Sequence, residues 1–138
     1  MRLLLNVLTV ALLMAFMQVF TQPLQAQAAN VDAWFSAPPA DGSWSAGGDI
    51  EWGGDPNCEF CGTDVELSVD VQENGVTLSS MYGSDPSGLL SLAYDSPTIV
   101  NLNGTYVVNA AGAWYDQYGP EEGGSSVSPQ FQGFRPSR

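Results

Sequence analysis

Two thiols, a scatter of carboxylates and a set of aromatic rings are the side chains of this sequence that could do chemistry. Cys58 and Cys61, in the stretch Gly53-Gly-Asp-Pro-Asn-Cys-Glu-Phe-Cys-Gly-Thr-Asp64, are the only cysteines. A Cys-x-x-Cys pair can be a redox couple, half of a metal clip or a local disulfide. A redox couple wants a thiol pKa lowered by a nearby cation or a helix N-terminus. Here the flanks are Asp55, Glu59 and Asp64, whose charge raises a thiol's pKa. A zinc site needs two further Cys or His ligands, and the sequence has no other cysteine and no histidine. What remains is a disulfide that pins a loop, which an oxidising compartment would form.

The same loop offers oxygens. Asp55, Asn57, Glu59, Thr63 and Glu66 fall at the ligand positions 1, 3, 5, 9 and 12 of a calcium-binding loop. The position that must turn sharply, and should be glycine, is Phe60. Calcium is therefore the one cofactor the sequence suggests, on the weak set Asp55, Asn57, Glu59 and Glu66, and the leading expectation is no cofactor at all.

Charge narrows the partners. Fifteen Asp and Glu stand against three basic residues, all arginine. Binding a polyanion requires cations, so nucleic acid is excluded as a partner, and contact with an anionic membrane is expected only during export. The absence of Lys and His removes Schiff-base chemistry and imidazole acid–base work. Paired carboxylates would suffice for glycoside hydrolysis, but no pair stands out, and a non-enzymatic protein is expected.

The rings are the best candidates for recognition. Trp114-Tyr115-Asp116-Gln117-Tyr118 sets flat rings beside carboxylate and amide groups, as a sugar-stacking surface needs, and Trp44 is a further candidate. The candidate ligand residues are thus Trp114, Tyr115, Asp116, Tyr118 and Trp44; the competing and favoured reading is that the rings pack the core and the loop bases, Trp52 first among them, with Trp44 and the 114–118 stretch the ones to look for at the surface.

The elements that must position these groups read as strands. Asp64 to Gln72 alternates without a fault: Val65, Leu67, Val69 and Val71 on one face, acidic and polar residues on the other. Asn74-Gly75 is the preferred pair for a two-residue hairpin turn, and Val76 to Met81 reads as the return strand. Tyr82 to Gly88 reads as a turn cluster. Leu89–Tyr94 and Thr98–Leu102 are short apolar runs divided by Asp95-Ser-Pro97, and Asn103-Gly104 is another turn. Thr105 to Ala111 is a strand, Ser125 to Phe134 supplies the last, and Trp34 to Trp52 holds two more around Pro38–Gly42. About seven to nine short strands predict an all-β antiparallel sandwich.

Ahead of them stands an export signal. Arg2 precedes an apolar run from Leu3 to about Phe20, Pro23 breaks it, and Ala26-Gln27-Ala28 fits a small-residue cleavage site. Residues 1–28 are expected to be a signal peptide cut after Ala28, leaving 29–138 as one domain, secreted or periplasmic.

Leu102-Asn-Gly-Thr-Tyr-Val-Val108 resembles the penultimate strand of immunoglobulin-like domains, and Pro38-Pro-Ala-Asp-Gly-Ser-Trp-Ser-Ala-Gly-Gly-Asp-Ile-Glu-Trp52 looks like the opening of bacterial members. The resemblance implies that Tyr106 makes the corner hydrogen bond. It also implies that Val108 stands where antibody domains carry a bridging cysteine, with Ile50 or Trp52 opposite. It names no function. Three readings follow: an exported immunoglobulin-like (fibronectin-like) binding or structural domain without enzymatic activity, partnered by a glycan or another surface protein; a carbohydrate-binding module using the exposed rings; and a calcium-tuned adhesion domain.

Overall fold

The structure is a computed structural model that describes residues 28–37 and 42–131. The expected signal segment, the Pro38–Asp41 part of the first turn and the arginines near the C-terminus lie outside them. Among the described residues there are seven strands and no helix: β1 (Asn30–Ser36), β2 (Ser43–Glu51), β3 (Val65–Glu73), β4 (Val76–Asp85), β5 (Leu89–Ile99), β6 (Tyr106–Asp116) and β7 (Gly119–Val127). They form two antiparallel sheets, β1-β2-β5 and β4-β3-β6-β7, so the expected all-β sandwich is the fold.

Period-two alternation builds the core between them. Val65, Leu67, Val69 and Val71 of β3 are all buried, as are Tyr106, Val108, Ala110 and Trp114 of β6 and Trp44, Ala46 and Ile50 of β2, with Trp52 just beyond β2. Each fully buried valine, leucine or isoleucine contributes about 1.5–3 kcal/mol of transfer free energy before chain ordering is set against it. Glycine sets how closely the sheets approach. A Cβ on Gly112 would lie 2.6 Å from Ile50 Cδ1, and one on Gly48 would lie 2.8 Å from the Ala110 Cβ. With Trp44 packed edge-on against Tyr106 at 5.0 Å, this register puts Ala46 level with Val108. The expected Ile50 or Trp52 stands farther along, against Gly112 and Trp114.

Several strand boundaries differ from the sequence expectation. The Asn74-Gly75 turn is as expected, with positive φ at both residues (50° and 78°). Its return strand, however, runs four residues past Met81, to Asp85. Asp95-Ser-Pro97 does not divide two strands. Residues Leu89–Ile99 form one strand on an edge of the three-stranded sheet, where proline's missing N–H costs no ladder bond. β6 continues to Asp116, and β7 begins at Gly119 rather than Ser125, because Gln117 and Tyr118 close a tight hairpin.

Candidate functional site

The 114–118 stretch is divided by its own strand. β6 turns Trp114 and Asp116 inward, 7% and 2% exposed, and leaves Tyr115 and Tyr118 outside. The ring row expected along this stretch is therefore absent: alternation sends neighbouring side chains to opposite faces. Trp44 is also corrected. It is 1% exposed, in an aromatic cluster with Phe35 (5.1 Å), Tyr106 (5.0 Å) and Tyr94 (5.5 Å), so neither face of its ring is open to a ligand. Trp52 is buried as expected, against Trp114.

The calcium candidates do not converge. Asp55 is buried and both of its oxygens are engaged: Asn57 N–H donates to Oδ1 (2.8 Å) and Gln117 N–H to Oδ2 (2.9 Å). Its carboxylate ties the loop after β2 to the β6–β7 turn. Glu66 lies on β3 and receives the Tyr82 hydroxyl at 2.6 Å, and Glu59 is exposed. No group of three or more His, Cys, Asp or Glu among the described residues is arranged to hold a metal ion. Within the same loop Cys58 and Cys61 form a disulfide, with Cα atoms 5.5 Å apart. Cys58 N–H donates to the Asp55 carbonyl and Cys61 N–H to that of Cys58, so two turns already fold the loop. A ring this short adds about 1–2 kcal/mol at most.

What the structure does assemble is the outer face of the four-stranded sheet. Pairing sets Tyr82, Ser68, Ala111 and Gly124 in one row, and Ser84, Glu66, Ala113 and Glu122 in the next. Beyond them Tyr115 pairs with Pro120. Alanine and glycine make the middle of the face low, and the groups around them stand up. One shallow trough is lined by Tyr82, Glu66, Ala111, Ala113 and Glu122. A second continues from Glu66 and Ala113 to Tyr115, Asp85 and Cys61. Tyr82 is 65% and Tyr115 52% exposed. Tyr82, Glu66 and Tyr115 fall on one diagonal, each a strand over and two residues along from the last. Strand spacing and rise put the backbone positions of the two tyrosines roughly 16 Å apart. The Glu66 carboxylate, accepting from the Tyr82 hydroxyl, holds that phenol above its ordinary pKa.

The sequence names Tyr115 as a candidate but places Tyr82 in a turn. Trp34 gives no comparable platform: it lies half-buried on the other sheet, its ring within 2.7 Å of where a Gly47 Cβ would stand. No family model matches the sequence, and no curated protein or solved structure is significantly similar to it.

Proposed function

We propose that this chain is an exported, non-enzymatic binding domain of immunoglobulin-like, fibronectin-like type, and that its ligand face is the outer surface of the β4-β3-β6-β7 sheet. Two features support the domain type. β2 pairs with β5 and β3 with β6 across a three-plus-four sandwich. The Tyr106 hydroxyl also accepts the N–H of Asn101, five residues upstream, at 2.8 Å, the contact expected of a corner tyrosine. Export is supported by Ala26-Gln27-Ala28, two residues ahead of β1, and by the disulfide.

The Tyr82–Glu66–Tyr115 diagonal carries the ligand reading. Two exposed rings on one diagonal, with carboxylates and serine hydroxyls between and around them, suit a glycan lying across the sheet. The rings offer flat apolar faces and the oxygens accept sugar hydroxyls. The carboxylates on the trough exclude an anionic glycan, so the class is neutral or amino-substituted. Glu66 and Glu122, two strands apart across Ala113, are open to water.

The test is a screen of the mature protein on neutral, amino and acidic glycans, followed by calorimetry on the hits. Tyr82→Ala and Tyr115→Ala should each weaken binding by roughly five-fold, about 1 kcal/mol. Calcium chelation should leave it unchanged. Affinity that survives the double variant, or confinement of the hits to acidic glycans, would refute this face; capture of a protein partner instead of any glycan would replace the ligand class.

A further inference from the structure

Asp116 is the most deeply buried carboxylate among the described residues, at 2% exposure, and it is only half satisfied. Its Oδ1 accepts the N–H of Tyr118 at 2.8 Å, while no donor among the described residues reaches Oδ2. The indole N–H of Trp114, on the same wall, is likewise unpaired and does not reach it. A buried carboxylate oxygen without a partner is costly, and a native chain ordinarily supplies one.

Asp116 and the segment from Ala28 to Val31 line one surface cavity, together with Glu121 and Glu122. The expected cut falls within that segment. Hydrolysis of the Ala28–Ala29 bond consumes one water; Ala28 leaves with the signal bearing the new carboxylate, and Ala29 keeps the new ammonium. Cations are otherwise scarce. There is no Lys or His, Arg2 departs with the signal, and the remaining arginines are at 135 and 138.

We propose that the α-ammonium of Ala29, created by signal removal, is the partner of Asp116 Oδ2. The inference rests on the export reading above. Its consequence is a fold that tightens only after processing, since Asp116 also organises the β6–β7 turn between Tyr115 and Tyr118. The charged groups around the ammonium are Asp116 and Glu121 on the inner side, Glu122 at the rim, and Glu51, which pairs across from Asn30 on β2. All are carboxylates, so every one favours the charged amine.

The experiment compares protein beginning at Ala29 with the same protein N-acetylated at Ala29, each with and without Asp116→Asn. The α-amino pKa, read by NMR, should stand about one unit or more above its ordinary value near 8 and return to it in Asp116→Asn. Acetylation should lower the melting midpoint of the parent protein and have little effect on Asp116→Asn. An ordinary α-amino pKa, or equal harm from acetylation in both backgrounds, overturns the pairing and leaves the export reading intact. If Asp116→Asn does not fold, the parent protein decides alone: no loss of midpoint on acetylation overturns the proposal. Intact mass of exported protein tests the other premise, because a first residue other than Ala29 overturns the processing step whatever pairing is measured in vitro.

Discussion

Tyr106 shows how much a single polar atom in this core is asked to do. Its ring is fully buried among Trp44, Phe35 and Phe131. Its hydroxyl nevertheless accepts from Asn101 N–H and donates to Glu73 Oε1, both at 2.8 Å. Tyr106→Phe keeps the ring and strands the Asn101 N–H and a Glu73 oxygen, so it should cost about 1–3 kcal/mol in a urea melt. A variant as stable as the parent would mean that water replaces both contacts without loss. The pH dependence has a definite sign. Desolvation is the largest cause that raises the Tyr106 pKa, and donation to Glu73 adds to it, against the opposing Asn101 contact. The protonated phenol is thus favoured by folding. Its contribution is complete below the unfolded value near 10 and is lost as pH rises through the higher folded value. The stability gap between the parent and Tyr106→Phe should therefore narrow on the alkaline side and stay level from pH 6 to 9. The other four tyrosines cancel in that comparison. Tyr106 was legible in the sequence because its motif is local. Trp44 and Trp114 were not, because ring type does not reveal which face of a strand looks inward.

At the scale of the strand, one extra residue decides the candidate site. Pairing from the hairpin runs Glu73↔Val76 and Gln72↔Thr77, then shifts by one at Val71↔Ser79, leaving Leu78 as the bulged residue. Without that shift Tyr82 would oppose Leu67 and point into the core. With it Tyr82 opposes Ser68 and points out, while Met81 opposes Val69 and joins the core. A one-residue slip exchanges the faces of everything beyond it, and nothing in Thr77-Leu-Ser79 announces a bulge. This is why β3 could be read from its alternation and the candidate face across β4 could not. β6 offers the direct check on register. Val108 is fully buried and Val107 lies on the outer face. Val108→Asp should unfold the domain or cost on the order of 4 kcal/mol, by burying an unpaired charge, whereas Val107→Asp should cost about 1 kcal/mol or less. Similar urea midpoints for the two would show that this strand does not have the alternation that the sandwich requires.

For the molecule as a whole, the acidic balance is the property visible from composition alone, and it acts on stability rather than on fold. The full chain carries a formal charge of −12. The carboxylates are spread over both outer faces: Asp32, Asp49 and Glu51 on one sheet, Glu66, Asp70 and Glu122 on the other. The exposed hydroxyl–carboxylate bonds, Ser91 to Asp49 and Ser80 to Asp70, spread charge but do not neutralise it. Like charges on a domain about 13 Å in radius of gyration repel throughout at low salt, where the Debye length is ~30 Å at 10 mM, and hardly beyond neighbours at 0.15 M, where it is ~8 Å. Unfolding moves the charges apart, so the repulsion weighs against the folded state. The melting midpoint should therefore rise by several degrees as sodium chloride goes from about 10 mM to 0.15 M, and then level off. An Ala29 ammonium paired with Asp116 inside the fold is screened much less than surface charge, so protein beginning at Ala29 should keep its advantage over the N-acetylated form across that range. A midpoint that falls with added salt would mean that attraction, not repulsion, dominates this surface; an advantage that vanishes with salt would place the ammonium in solvent, outside the cavity beside Asp116.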